Sequence, residues 1–167
     1  MKIMLVCSAG GHLAQLYRLR PWWQRHERTW VTCPGLQSES LLAGESWAPA
    51  FFPTTRNIPN TIRNAFLAVR LIWAERPDVL ISDGAGVAFP FFLVGRALGV
   101  RTVYLEVYDR ILHPTLTGRL CYPLTELFLL QWPEQAVSYP RGRVVGCLLL
   151  ERAPPRRRES LRVRGLW

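Results

Sequence analysis

Lysine is almost missing from this chain. Lys2 is the only one, so twenty of the 21 basic residues are arginines, set against 12 Asp and Glu for a net charge of +9. More than half of that excess sits at the end, where Arg152, Arg156, Arg157, Arg158, Arg162 and Arg164 are opposed beyond residue 151 only by Glu159. The body is only mildly basic and carries no repeated basic–aromatic pattern, so no nucleic-acid partner is expected. Cysteine is scarce too: Cys7, Cys33, Cys121 and Cys147 share no C-x-x-C spacing and have no histidine at ligand spacing. Free buried thiols are expected, not a zinc site or a redox pair. No carboxylate cluster has metal-binding spacing, so no metal is expected. No window reaches the roughly 20 uninterrupted apolar residues that cross a bilayer. The opening MKIMLVC is too short for the apolar region of a signal peptide and reads as a strand. A cytosolic chain that can lie on a membrane is the expectation.

What is present fits one folded domain of 167 residues, 49% hydrophobic, with room for a real core. Apolar runs and helical periods alternate. Strands are predicted at 2–7, 29–33, 47–52, 78–82, 101–107, 126–132 and 143–150. Helices are predicted at 12–20 (stopped near Pro21), 37–44, 58–75, 86–98 and around 115–122. Such alternation implies an α/β fold, a Rossmann-like doubly wound parallel sheet. The domain should cover residues 1–150, followed by a flexible basic tail at 151–167.

Ligands of such sheets bind beyond the carboxyl ends of the strands. Three loops there are chemically loaded: SAGGH after residue 7, SDGAG after 81 and EVYDR after 105. Gly10 and Gly11 allow close backbone approach, and the following helix start favours an anion. His12 can donate to a phosphate or act as a general base; the plainer alternative is a tight turn with a capping histidine. Gly84 and Gly86 open a second helix, where Asp83 caps the helix, binds a hydroxyl or takes a proton. Glu106, Asp109 and Arg110 form either a site or a local ion pair. Neither G-x-x-x-x-G-K-[ST] nor G-x-G-x-x-G is present, which excludes the two commonest nucleotide loops.

On a helical wheel, Ile58, Ile62, Ala65, Phe66, Val69, Ile72 and Trp73 form a stripe assigned to the core, with Leu67 and Leu71 opposite and Arg63 and Arg70 between. A helix apolar on both sides and edged by arginine suits a membrane or a partner. Trp22 and Trp23, in RLRPWWQRHER, have the same mix. These six residues other than the stripe (Trp22, Trp23, Arg63, Leu67, Arg70 and Leu71) are the expected membrane or partner contacts.

The segments CSAGGHLAQL, SDGAGVAFPFFLVGRALGVRTVYLEVYDRI, PTLTGRLCYPLTELFLLQW and YPRGRVVG resemble the bacterial capsule and exopolysaccharide subunits of the PssD type, themselves similar to asparagine-linked glycosylation protein 14 of eukaryotes. The likeness runs from residue 1 to about 150. It implies the N-terminal, acceptor-side half of a GT-B glycosyltransferase split over two polypeptides, with a partner that carries most of the UDP-sugar site. In MurG, similar halves share one chain, and its glycine-rich loop ending in histidine looks like Ser8–His12. By that likeness Ser8, Gly10, Gly11 and His12 face the diphosphate and reacting hydroxyl of a polyprenyl-linked sugar. Gly84, Ala85 and Gly86, with Glu106 and Arg110, line the same cleft. Asp83 departs from the family, where a small hydroxylated residue is expected. Eukaryotic relatives carry an N-terminal membrane segment that this sequence does not show, so peripheral attachment at the cytoplasmic face of the membrane is expected.

The expected function is transfer of a sugar from a UDP-sugar to a lipid-diphosphate saccharide, as an enzyme only in complex with the partner and with no cofactor in this chain. His12 is the first candidate for the base and Glu106 the second. A non-catalytic adaptor that tethers and activates the partner is the chief rival reading. A nucleic-acid module using the arginine tail and a self-sufficient nucleotide-sugar enzyme are weaker ones.

Overall fold

The computed structural model describes residues 1–148; the expected tail, and the last two residues of the expected strand 143–150, lie outside that range. The expected α/β architecture is present. Strands β1 (Lys2–Val6), β2 (Glu27–Thr32), β3 (Trp47–Pro49), β4 (Val79–Ser82), β5 (Arg101–Leu105), β6 (Leu127–Leu130) and β7 (Arg143–Val144) form one seven-stranded sheet in the order β3-β2-β1-β4-β5-β6-β7. Every pairing is parallel. The order reverses between β1 and β4, and the loops that follow these two strands flank that switch point.

Helices α1 (Gly11–Tyr17), α2 (Arg20–Trp23) and α3 (Leu36–Leu41) cover one face of the sheet near β1, and α4 (Ile58–Glu75), α5 (Ala88–Ala97) and α6 (Leu116–Cys121) the other. Ile3, Leu5 and Cys7 point into the first layer with Leu13, Leu16 and Trp30, while Met4 and Val6 point into the second with Leu67, Ala68 and Phe91. That alternation is what a strand buried on both faces produces. Pro21 does not simply stop α1. It enters a new turn at the second position of α2, where its missing N–H costs no helical bond.

Trp23, expected at the surface, is 1% exposed. Its ring packs edge-on against Trp30, its indole N–H donates to the Leu16 carbonyl at 3.2 Å, and the Arg28 guanidinium lies over it. Aromatic stacking and a satisfied indole make it a core residue. Trp22 is 40% exposed and borders a groove of about 440 Å³ on the α1 side of the sheet. Val79, Ile81, Val103, Leu105, Leu127 and Leu129 form its floor, and Val145 and Leu148 also line it.

Helix α4 is capped by Asn57, whose side chain accepts from Asn60 N–H, and ends at Arg76 in the left-handed region, before Pro77. It lies largely the other way round from the sequence expectation, although Ile72 is buried as expected. Asn60, Asn64, Leu67, Ala68 and Ile72 are buried, with Leu71 packed beside them. Ile58, Ile62, Phe66, Val69 and Trp73 face outward, Phe66 at 73% and Trp73 at 64% exposure. The two asparagines explain the inversion. Asn64 accepts from Phe51 N–H at 2.9 Å and donates to the Phe51 carbonyl at 3.0 Å, while Asn60 donates to the Pro53 carbonyl at 2.9 Å. Loop backbone that would otherwise lose its partners on burial takes polar side chains here. Leu67 and Leu71 are therefore core residues, not surface contacts.

This orientation predicts opposite outcomes for adjacent residues. Leu67→Ala should destabilise the fold by about 2–5 kcal/mol, and Phe66→Ala by no more than about 0.5 kcal/mol, in urea titrations of the full chain. Equal losses would contradict the assigned face.

Candidate active site

Hydrogen-bond register places the loops after β1, β4 and β5 on one rim, as the sequence implied. Between them is a pocket of about 160 Å³, lined by His12, Asp83, Gly84, Ala85, Tyr104, Val107, Asp109, Arg110, Thr115 and Thr117. Two backbone features shape its wall. Gly84 has φ +114°, and a Cβ there would lie 2.8 Å from the Tyr104 hydroxyl and 3.4 Å from His12 Cε1. Ala85 follows at φ +63°, a left-handed conformation that non-glycine residues rarely adopt and that clusters at functional sites.

The polar centre is a pair. His12 Nδ1 lies 3.4 Å from Asp83 Oδ2; the imidazole is 28% exposed and the carboxyl not at all. Asp83 Oδ1 and His12 Nδ1 are both buried without a well-formed hydrogen bond. Burial pushes the Asp83 carboxyl up to about 6, with His12 opposing the shift. Burial pulls His12 down, but the contact and charge of Asp83 outweigh it and leave the imidazole raised. Loss of water thus acts against the charge on each partner; Asp83 more than offsets it for His12, and His12 offsets part of it for Asp83.

Of the residues expected to hold a diphosphate, Gly84, Ala85 and Arg110 line the pocket and Ser8, Gly10, Gly11 and Gly86 do not. Gly10 N–H is already bonded to the Gln37 side-chain oxygen, and Gln37 donates back to the Gly10 carbonyl at 3.2 Å. That amide is held by α3 and is not free for a ligand. Gly11 is exposed beside it, and Ser8 donates only to the Ala9 carbonyl at 3.2 Å. Gly86 serves packing: a Cβ there would press on the Thr54 carbonyl oxygen at 2.5 Å.

Glu106 is fully buried one layer behind the pocket wall. Its Oε1 accepts from Val107 N–H at 3.1 Å, and its Oε2 stands against the bare Cα of Gly118 with the Tyr139 hydroxyl. Burial raises its pKa against the pull of Tyr139 and Val107. Tyr104, Thr115 and Thr117 were missed from sequence. Thr115 caps α6 by accepting from Gly118 N–H at 2.9 Å, which its PTLTG context could have signalled. Nothing marks Tyr104 within an apolar strand. Among the described residues no group of three or more His, Cys, Asp or Glu could hold a metal ion, and no helix is long and apolar enough to cross a membrane.

A family model described as oligosaccharide biosynthesis protein Alg14 like matches residues 52–148, more than half of the chain. The chain belongs to that family. The UDP-N-acetylglucosamine transferase subunit ALG14 of Debaryomyces hansenii is 26% identical over 182 residues, covering 88% of this chain and 76% of that protein. The human subunit of the same name is 25% identical over 108 residues, covering 61% of this chain and 47% of its own. Among solved structures, MurG from Acinetobacter baumannii superposes with a TM-score of 0.67 at 17% identity, over 80% of this chain and 42% of MurG. A UDP-GlcNAc 2-epimerase from Methanocaldococcus jannaschii superposes at 0.66 and 12% identity, over 87% of this chain and 45% of the enzyme. At such identities these two share the fold. This Alg14-like chain spans less than half of each.

The buried carboxyl makes stability depend on pH. A folded pKa near 6, above that of an exposed Asp, means the stabilisation is full at low pH and is lost as pH rises through about 6. Asp83→Asn does not titrate, so its stability relative to the native chain should improve between pH 5 and pH 8 in denaturant titrations. A pH-independent difference would contradict the buried, raised carboxyl.

Proposed function

We propose that this chain is the acceptor-side half of a two-polypeptide GT-B glycosyltransferase that transfers a sugar from a UDP-sugar to a polyprenyl-diphosphate-linked saccharide. The observation that carries this reading is the convergence of His12 with Gly84, Ala85 and Arg110 in one pocket at the switch point of a MurG-like domain. The relatives' shared name supports N-acetylglucosamine as the donor sugar to test first. The motifs shared with PssD-type subunits support capsule or exopolysaccharide synthesis as the setting. The relatives' names as transferase subunits support a donor site carried by a partner polypeptide.

His12 is the base. The acceptor hydroxyl gives its proton to the imidazole as its oxygen bonds to the anomeric carbon, and the bond from that carbon to the diphosphate breaks, with UDP leaving on the electron pair. Arg110, at the pocket edge, offsets the charge of the lipid diphosphate. Glu106 stays behind the wall and supports the loop through Val107.

Ile58, Ile62, Phe66, Val69 and Trp73, edged by Arg63 and Arg70, form the membrane-facing stripe at the cytoplasmic leaflet. An exposed apolar helix face flanked by cations suits an anionic bilayer. Trp22, across the sheet, is not part of that plane.

The test is the chain co-purified with its donor-binding partner and assayed with UDP-N-acetylglucosamine and other UDP-sugars on a polyprenyl-diphosphate glycan. His12→Ala should cost roughly 10²–10⁴-fold in kcat. Unchanged turnover would favour the adaptor reading. Phe66→Ser with Trp73→Ser should weaken binding to phosphatidylglycerol vesicles by about tenfold or more; unchanged binding would remove the stripe from the membrane.

A further inference from the structure

Asp83 was left without a role by the family resemblance and by the reaction as drawn. The structure surrounds it with more order than a helix cap needs. Its N–H and side chain form no cap for α5, whose preceding residue Val87 carries no side-chain cap bond. Its carboxyl is wholly buried, yet one oxygen is taken up on two sides: Gln15 Nε2 donates to Oδ2 at 3.2 Å, and His12 Nδ1 lies 3.4 Å from the same atom.

Gln15 is itself fixed. Its Oε1 accepts from Gln131 Nε2 at 2.9 Å, the same nitrogen donates to the Glu106 carbonyl at 2.8 Å, and Gln131 Oε1 accepts from Leu148 N–H at 2.9 Å. Both glutamines are buried, at 1% and 2% exposure. Each amide can satisfy these partners in only one orientation, because the oxygen accepts and the nitrogen donates. The chain of bonds therefore leaves Asp83 Oδ2 as an acceptor pointed at the imidazole. Nδ1 is buried on that side, so the ring opens to the pocket through Nε2.

We infer that Asp83 is the positioning residue for His12: its buried carboxylate holds Nδ1–H, sets the tautomer that leaves Nε2 free for the acceptor hydroxyl, and stabilises the imidazolium formed when that proton arrives. This rests on His12 being the base. The 3.4 Å separation is longer than a well-formed hydrogen bond but within ion-pair distance. The remaining groups around the ring are Asp109 and Arg110 at the pocket edge, Glu106 behind it, and the neutral Tyr104 in β5, with the neutral Cys7 thiol near Asp83. None of them lies at ion-pair distance from the imidazole; Asp83 alone does among the described residues.

Two measurements separate this inference from the reading it rests on. The first needs no turnover: the His12 ring is titrated by NMR in the full native chain and in Asp83→Asn, with Asp83→Ser as a second variant should the amide disturb folding. His12 should titrate lower by about one pH unit or more in either variant. An unmoved His12 titration overturns the role of Asp83 whatever the activity. The second uses the complex with its partner. Asp83→Asn should lower kcat roughly tenfold or more with little change in acceptor KM, and the acid limb of kcat/KM should move to lower pH. A fall in rate with the acid limb unmoved reduces Asp83 to a packing residue. If His12→Ala retains turnover, the base assignment fails, and the inference with it, even where the NMR coupling is present.

Discussion

A carboxylate with no access to water, set beneath an imidazole at the reversal of strand order, is the constraint around which this rim is organised. Desolvating Asp83 costs stability, and His12, Gln15 and a backbone contact of Asp83 itself offset part of it. For His12 to reach Asp83, β1 and β4 must be neighbours, which the doubly wound order supplies. Gly84, at φ +114°, must also lack a side chain, or the Tyr104 hydroxyl would be displaced and the backbone strained. The fold thus brings together two loops that are distant in sequence, and their backbone angles leave space for a ligand above the pair.

Such an arrangement is one in which stability is given up for function. The buried carboxyl, the left-handed Ala85 and the unpartnered Tyr104 hydroxyl occur within one small pocket. Elsewhere the core is ordinary: aliphatic strands, an apolar α5 with Gly95 pressed on Leu80, and aromatic stacks around Tyr104, Phe128 and Tyr139. The contrast in polarity separates the site from its scaffold.

Much of the fold was legible because a buried parallel sheet leaves strong marks. The runs KIMLV and DVLIS, the Pro-Gly stop after β2 and the glycine-opened α5 were each sufficient to place an element. The three-loop rim followed from topology. What sequence did not show were relations that depend on partners distant in the chain. Periodicity alone could not tell which stripe of α4 was core, because Asn60 and Asn64 count as polar until the loop carbonyls and amide they satisfy are known. Trp23 read as surface because its arginine neighbours are charged, although Arg28 lies over the ring itself. The Gln37 side chain occupies the Gly10 amide that a glycine-rich loop would otherwise offer a phosphate. Asp83 was visible as an oddity, but its meaning required the burial and the imidazole.

On this reading the rim receives the diphosphate of a lipid carrier while the donor belongs to another protein. The most direct measurement is an NMR titration of the native chain, without its partner, against a short-chain polyprenyl-diphosphate saccharide and, separately, a UDP-sugar. Saturable shifts are expected at the His12, Gly84, Ala85 and Arg110 amides with the lipid diphosphate and none there with the nucleotide sugar. Shifts at those amides from the UDP-sugar alone, or none from the lipid diphosphate, would contradict that reading.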